Sequence, residues 1–207
     1  MNFKFNSNPE IEAYLVGVIS GDGYLHKNFV QIDGDSREWL EIINQFFWEL
    51  FAKRGKVVNK KNSNGVRLYL SSRKISKHFN KEWNIPFGNK SKTITPPTDM
   101  LQEHEKARAY LIGWFDSECH VENWRKPNTD KTYLRIQFKT KSEPIRDFLA
   151  KILDESKITT SCYRDCENSY RIQIGSRQSI DAFKNNFFFV HPNKNLIPSS
   201  TASKAET

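Results

Sequence analysis

The sequence predicts an α+β chain of two pseudo-symmetric halves, each running α-β-β-α-β-β-α around an antiparallel sheet. Three observations predict this. Ala13-Tyr14-Leu15-Val16-Gly17-Val18-Ile19-Ser20-Gly21-Asp22-Gly23 is nearly repeated by Ala109-Tyr110-Leu111-Ile112-Gly113-Trp114-Phe115-Asp116-Ser117-Glu118-Cys119, which puts Asp22 and Glu118 in matching places 96 residues apart. Segments in both halves alternate apolar with polar residues at the period of a half-buried strand. Arg67-Leu68-Tyr69-Leu70-Ser71-Ser72-Arg73 with Phe79 is matched, at an offset of 104, by Arg171-Ile172-Gln173-Ile174-Gly175-Ser176-Arg177 with Phe183. The difference of 8 between the two offsets predicts an insertion near Asn123 to Asp130.

In chain order, Asn8-Pro9-Glu10 is a start signal for the first motif helix: Asn as cap, Pro in the first turn and Glu near the positive end. Gly23 is its expected stop. Tyr24 to Asp33 reads as strand, with a break at His26-Lys27-Asn28. Ser36 caps a helix carrying Trp39, Leu40, Ile43, Phe46, Phe47, Leu50 and Phe51, with Gly55 at its end. Lys56–Lys61 and Val66–Ser71 form a hairpin about Asn62-Ser63-Asn64-Gly65, since Asn-Gly is a strong turn signal. Ser72 opens a short helix with Ile75 and Phe79.

The second half replays these elements. Tyr133 to Lys141 alternates, Ser142 caps a helix, and strands at Thr159–Asp165 and Tyr170–Ser176 follow. The expected domains are 1–85, a linker at 86–103, and 104–198, with a disordered polar tail at 199–207.

Each motif stretch is too apolar for a surface and too short for a membrane span, which needs about 20 apolar residues. A buried helix satisfies both. Gly17 and Gly21 share a helix face, as do Gly113 and Ser117. Glycine within a helix costs about 1 kcal/mol against alanine. Close approach of two helix backbones along these four residues gives that cost a use, as small-xxx-small pairs do in membranes. Such packing joins Asp22 and Glu118 at the negative ends of both helices, where they repel. A hard divalent cation resolves the conflict, its shell completed by water and phosphate.

These stretches resemble the LAGLIDADG motif of the homing endonuclease family, single-chain two-motif type. The copies read Leu-Val-Gly-Val-Ile-Ser-Gly-Asp-Gly and Leu-Ile-Gly-Trp-Phe-Asp-Ser-Glu-Cys, and the family's metal-binding acid falls on Asp22 and Glu118. Ser20 replaces an acid in the first copy and Cys119 a glycine in the second; neither is the catalytic position. The resemblance implies a pseudo-twofold monomer with the motif helices as interface and the sheets as a saddle over double-stranded DNA, on a long, nearly non-palindromic site. It implies site-specific hydrolysis of both strands with Mg²⁺, leaving short 3′ overhangs. Mn²⁺ is expected to substitute, and Ca²⁺ to bind without supporting cleavage. Gly21 and Ser117 accompany the acids as metal-site residues.

The family also places a basic or amide residue near the end of the second strand of each half. Lys141, or Lys139, fills that place in the second half, whereas Asp33-Gly34-Asp35 stands there in the first. The alternative the resemblance leaves open is a non-cleaving intron RNA maturase or DNA-binding protein with the same fold.

Composition agrees with an anionic partner. The 207 residues carry a net charge of +8, which favours nucleic acid over a membrane surface because no basic amphipathic helix stands out. The opening residues lack the apolar core of a signal peptide, so an intracellular protein is expected. Three cysteines, Cys119, Cys162 and Cys166, argue against a disulfide framework. The outward residues of the strands, Gln31, Arg67, Tyr69, Arg135, Gln137, Lys139, Arg171 and Gln173, are candidates for the DNA face, since Arg to guanine and Gln to adenine are common major-groove pairings. Lys60, with Lys56 and Lys61, suits phosphates.

Overall fold

The computed structural model describes residues 5, 7–61, 63–98, 102–125 and 132–194. The first half comprises α1 (Asn8–Ser20), β1 (Gly23–His26), β2 (Phe29–Gly34), α2 (Arg37–Phe51), β3 (Lys56–Asn59), β4 (Val66–Ser71) and α3 (Arg73–Glu82). The second comprises α4 (His104–Glu118), β5 (Cys119–Arg125), β6 (Thr132–Thr140), α5 (Glu143–Glu155), β7 (Ser161–Arg164), β8 (Tyr170–Ile174) and α6 (Arg177–Asn186). Each half forms one antiparallel four-stranded sheet, ordered β1-β2-β4-β3 and β5-β6-β8-β7. The α+β class and the order of elements are those expected.

Period-2 patterning sets the faces. Leu25, Val30, Ile32, Leu68 and Leu70 are buried in the first sheet, and Ile136, Phe138, Ile172 and Ile174 in the second. One continuous core links them to α2, α5 and the motif helices. Serine caps work as expected: the side chains of Ser36, Ser72 and Ser142 accept from the backbone N–H three residues on, at 3.3 Å in each case. The matching Ser176 does the same for Ser179 at 3.1 Å.

Several boundaries differ from expectation. The cap of α1 is Ser7, not Asn8, and its hydroxyl donates to Glu10 Oε1 rather than accepting from the backbone. Gly23 does not stop α1; Gly21 caps the helix and Gly23 opens β1. Helix α2 ends at Ala52, left-handed at φ 49°, and not at Gly55, whose N–H instead donates to Asn44 Oδ1 at 2.7 Å. The His26-Lys27-Asn28 break is a two-residue hairpin turn, with His26 paired to Phe29. β4 spans Val66–Ser71 as expected, whereas β3 stops at Asn59, β7 runs Ser161–Arg164 and β8 stops at Ile174, because the alternation runs on past the last ladder bonds. β6 ends at Thr140, so Lys141 lies outside the strand.

The insertion is larger and more regular than the offsets implied. Ser36 and Ser142 are 106 apart, so the β5–β6 hairpin is ten residues longer than β1–β2, and two residues are lost before Ser72 and Ser176. Asn123 to Arg125 extend β5 as strand. The expected tail at 199–207, Asn62 of the first turn, and the insertion from 126 to 130 lie outside the described residues.

Candidate functional site

Helices α1 and α4 cross at the centre of the molecule with their backbones in contact. A Cβ on Gly17 would lie 2.0 Å from the Tyr110 carbonyl oxygen, and one on Gly113 would lie 2.1 Å from that of Tyr14. A Cβ on Gly21 would meet Ser117 Oγ at 2.1 Å and Glu118 Cγ at 3.1 Å. The four small residues therefore sit where the helices are closest, and Asp22 and Glu118 end up side by side.

Both carboxyls titrate above their ordinary range. Lost hydration between the helix ends is the first cause for each. At Glu118 the charge of Asp22 adds to it, while Lys90 and Lys194 oppose the rise at both acids. Asp22 is still open to solvent, so its loss of hydration is partial, whereas Glu118 is half-buried.

The two lysines are a matched pair, and sequence reasoning missed them. Lys90 Nζ donates to the Gly21 and Gly23 carbonyls at 2.7 and 2.6 Å, beyond the end of α1. Lys194 Nζ donates to the Asp116 carbonyl at 2.5 Å and lies 3.4 and 3.5 Å from those of Phe115 and Ser117, at the end of α4. Each ammonium satisfies helix-end carbonyls and sits against the negative end of the dipole. Burial lowers the Lys90 pKa, and Glu118 and Asp22 work against that lowering. A signal was available: Asn89-Lys90 and Asn193-Lys194 repeat at 104, the offset of Arg67 and Arg171. Lys90 belongs to the stretch expected to be a mere linker. There Ile94 is also buried, and its carbonyl accepts from Ser142 Oγ at 2.6 Å.

Asp116 was also passed over. It is buried and holds the C-terminal segment to α4, accepting from Val190 N at 3.0 Å, His191 N at 3.2 Å and Tyr14 Oη at 2.8 Å. Trp39 Nε1 donates in turn to Tyr14 Oη at 2.8 Å. Burial pushes the Asp116 carboxyl up to about 7, with the Tyr14 hydrogen bond the main opposing influence. The His191 ring, whose pKa burial depresses, packs on Trp39 and lies 2.9 Å from Asp35 Oδ1.

On the sheet faces the predicted residues point outward but are already partnered. Arg67 grips Asp33 with Nε at 2.7 Å and Nη2 at 2.9 Å, and Lys60 adds a contact at 3.1 Å. The Arg67 bond is the main reason the Asp33 carboxyl titrates below its usual range. The Gln31 amide, turned with its oxygen toward Arg67, accepts from Nε at 3.2 Å. Tyr69 is exposed and its ring lies 4.8 Å from that of Phe29.

In the second half Arg171 Nε donates to Asp165 Oδ2 at 3.0 Å. Gln137 donates to Glu122 at 3.0 Å and Gln173 to Tyr163 Oη at 2.8 Å. Arg135 lies 3.5 Å from Glu122, with its guanidinium 4.2 Å above the Trp124 ring centre. Lys139 is paired with Glu167 and, at 3.3 Å, with Asp165, and its charge reaches Glu118. Lys141 is exposed and acts on Glu167 instead. Of the two lysines predicted for this place, Lys139 is the one that Glu118 feels.

The LAGLIDADG-like domain family matches residues 105–187. No curated protein matches the sequence. Among solved structures, full-length DUF199/WhiA from Thermatoga maritima superposes with a TM-score of 0.65 at 16% identity, over 91% of this chain and 58% of that one. This chain thus spans little more than half of that protein. The N-terminal LAGLIDADG domain of DUF199/WhiA gives 0.63 at 16%, over 89% of this chain and 84% of that one. A mesophilic variant of the homing endonuclease I-DmoI gives 0.61 at 16%, over 88% and 92%.

The chain is a LAGLIDADG-fold protein. Solved complexes of I-DmoI with DNA and Mn, and with DNA and Ca, also superpose, at 0.58 and 0.57. In the LAGLIDADG fold of this chain, no helix among the described residues is long and apolar enough to cross a membrane.

The donor set at the helix ends suits a divalent ion of the hard, oxygen-loving kind. It offers two carboxylates whose ionisation burial disfavours, while the Gly21 and Ser117 carbonyls beside them face Lys90 and Lys194 Nζ at 2.7 and 3.5 Å. No cluster of three or more His, Cys, Asp or Glu side chains forms a ready cage among the described residues. Cys162 and Cys166 are exposed, free thiols.

Proposed function

We propose that the protein is a site-specific double-strand DNA endonuclease that hydrolyses phosphodiester bonds with divalent metal ions, one acid per half, leaving short 3′ overhangs. The observation that carries the reading is the pair of matched helix ends: Lys90 on the carbonyls that follow α1 and Lys194 on those that end α4, with each lysine acting on both Asp22 and Glu118. A structural helix pair has no use for two carboxylates that disfavour each other's ionisation, nor for a lysine drawn onto the carbonyls at each helix end.

Asp22 and Glu118 hold the metal ions, with the Gly21 and Ser117 carbonyls beside them. Bound Mg²⁺ supplies Lewis acidity to the scissile phosphates and lowers the pKa of a coordinated water. Lys90 and Lys194 offset the anionic charge gathered where two carboxylates and two phosphates meet, and they fix the ends of the two helices. Lys139 adds positive charge on the second half's side. Arg67, Arg171, Gln31, Gln137 and Gln173 face the bases, and Lys60 faces the phosphate backbone. The ion pairs of Arg67 and Arg171 hold each guanidinium in place before DNA arrives, so less side-chain freedom is lost on binding.

The second reading is a protein that binds nucleic acid through the same face without cutting it. The two are separated by incubating a supercoiled plasmid library of random inserts with the protein and Mg²⁺. The endonuclease reading expects linear plasmids from a recurring sequence, with 3′ overhangs. With Ca²⁺ the same sequence is retained intact. Retention in both metals without strand breaks supports the binding reading, and no selective retention defeats both.

A further inference from the structure

The strand registers match outward positions of the two sheets one for one. Gly23 pairs with Ile32 as Cys119 pairs with Phe138, and Ile32 pairs with Leu68 as Phe138 pairs with Ile172. Counted from these rungs, Gln31 and Arg67 stand where Gln137 and Arg171 stand. The neighbouring positions diverge. Tyr24 stands in the place of His120, His26 in that of Glu122, Phe29 in that of Arg135 and Tyr69 in that of Gln173.

Together these substitutions build an aromatic tile on the first sheet. Phe29 is its centre, with the His26 ring stacked at 4.5 Å, the Tyr69 ring at 4.8 Å and the Tyr24 ring at 6.1 Å. Tyr24 is 40% and Tyr69 37% exposed. The same four places on the second sheet hold two charged residues, a histidine and a glutamine.

We propose that the first half reads the outer part of its half-site through thymine methyl groups, using the tile of Tyr24, His26, Phe29 and Tyr69. This rests on the DNA-binding face of the reading above. The tile is continuous with the cationic positions of the same face. Gln31 pairs with both Tyr24 and Tyr69, Lys56 pairs with Tyr69, and Arg67 and Asp33 occupy the next outward rung toward Asp22. A duplex held by those charges lies across the rings. The thymine methyl is the apolar group that base pairs display in the major groove, and apolar side chains are its usual partners.

Spacing places the contact. Phe29 lies four residues from Asp33 along β2, about 13 Å at strand rise, or roughly four base pairs at 3.4 Å each. Tyr24 and Tyr69 lie about half as far out. In the second half Arg135 occupies the place of Phe29 and is paired to Glu122, which suits hydrogen bonding to bases. The two arms of the site are therefore alike under Gln31/Gln137 and Arg67/Arg171 and unlike farther out.

The test selects duplexes from a random library in Ca²⁺, then measures affinity for the selected duplex with thymine replaced by uracil on one arm at a time. The expected result is a run of T·A pairs two to four base pairs outside the innermost conserved contact on one arm only. Uracil there should weaken binding about three- to fourfold per lost methyl, the worth of one buried methylene, and do nothing on the other arm. Phe29→Ser should abolish that sensitivity, and because the uracil duplexes are read by the unaltered protein, misfolding of the variant does not decide the matter. Duplexes selected without a one-sided T·A run, or indifferent to uracil on both arms, overturn the tile and leave the endonuclease reading standing. Tighter binding of the corresponding single strand than of the duplex overturns it in favour of base stacking on the rings. No selected duplex at all overturns both proposals.

Discussion

The two halves share a backbone plan and differ in charge at two matched places near the helix ends. At one matched place near the helix ends the first half has Asp33, held by Arg67 and Lys60, and the second has Lys139, held by Asp165 and Glu167. At another, the first half has Ser20 and the second Asp116. The segment that reaches Asp116 offers it the N–H groups of Val190 and His191. The residue of the first half that stands 104 before Val190 is Pro86, which has no N–H to give. A buried carboxylate short of donors is costly, and Asp116 has these two N–H groups and the Tyr14 hydroxyl to satisfy it. The difference teaches that the helix pair tolerates little divergence, while each face and each strap is free to specialise.

The largest expected effect tests what the halves hold in common. Asp22→Asn and Glu118→Gln should each lower cleavage of the selected plasmid by at least about 100-fold, more than second-sphere losses around metals. DNA retention in Ca²⁺ should persist in both variants. Near-parental cutting by either variant would show that the halves do not each supply a metal-binding acid.

Next come the contacts at the centre. Gly17→Ala and Gly113→Ala each place a methyl about 2 Å from a main-chain carbonyl, where backbone must move. A loss of about 3 kcal/mol or more is expected for both, seen as lowered midpoints in urea. A large loss in one variant alone would break the symmetry of the crossing.

The straps should separate the halves. Asp116→Ala leaves the N–H groups of Val190 and His191 buried without their acceptor and should cost about 2 to 4 kcal/mol. Ser20→Ala should cost under about 1 kcal/mol. Because the Asp116 carboxyl is raised to about 7, the folded state holds a proton that the unfolded state has released above about pH 4. Its contribution is therefore full in acid and is lost as pH rises toward and through 7. Asp116→Asn, in metal-free buffer, should flatten that decline in urea titrations at pH 5 and pH 8.

The smallest effect concerns rates. The two strands of a supercoiled plasmid should be cut unequally, so a nicked form should accumulate before the linear one. Lys139→Ala should change the ratio of the two rates by about three- to tenfold, and Lys141→Ala by less, because Lys139 is the one whose charge reaches Glu118. Equal changes at both strands would remove the asymmetry drawn from Asp33 and Lys139.

Local periodicity determined much of this protein. Alternation fixed which face of Val66 to Ser71 is buried, the serines fixed three helix starts, and the paired Gly17 and Gly113 foretold a close helix crossing that sets Asp22 beside Glu118. Each of these signals lies within one element, where period and sterics act over a few residues. Tertiary structure decided the rest. Lys90 and Lys194 carry no periodic signature, because they lie in irregular segments and matter only for the helix ends they reach. Arg67 meets Asp33 only because β4 lies beside β2, a sheet order that no single strand encodes. The aromatic tile likewise needs the β1–β2–β4 register to bring Tyr24, Phe29 and Tyr69 onto one patch, since residues far apart in the chain become neighbours only when the ladders close.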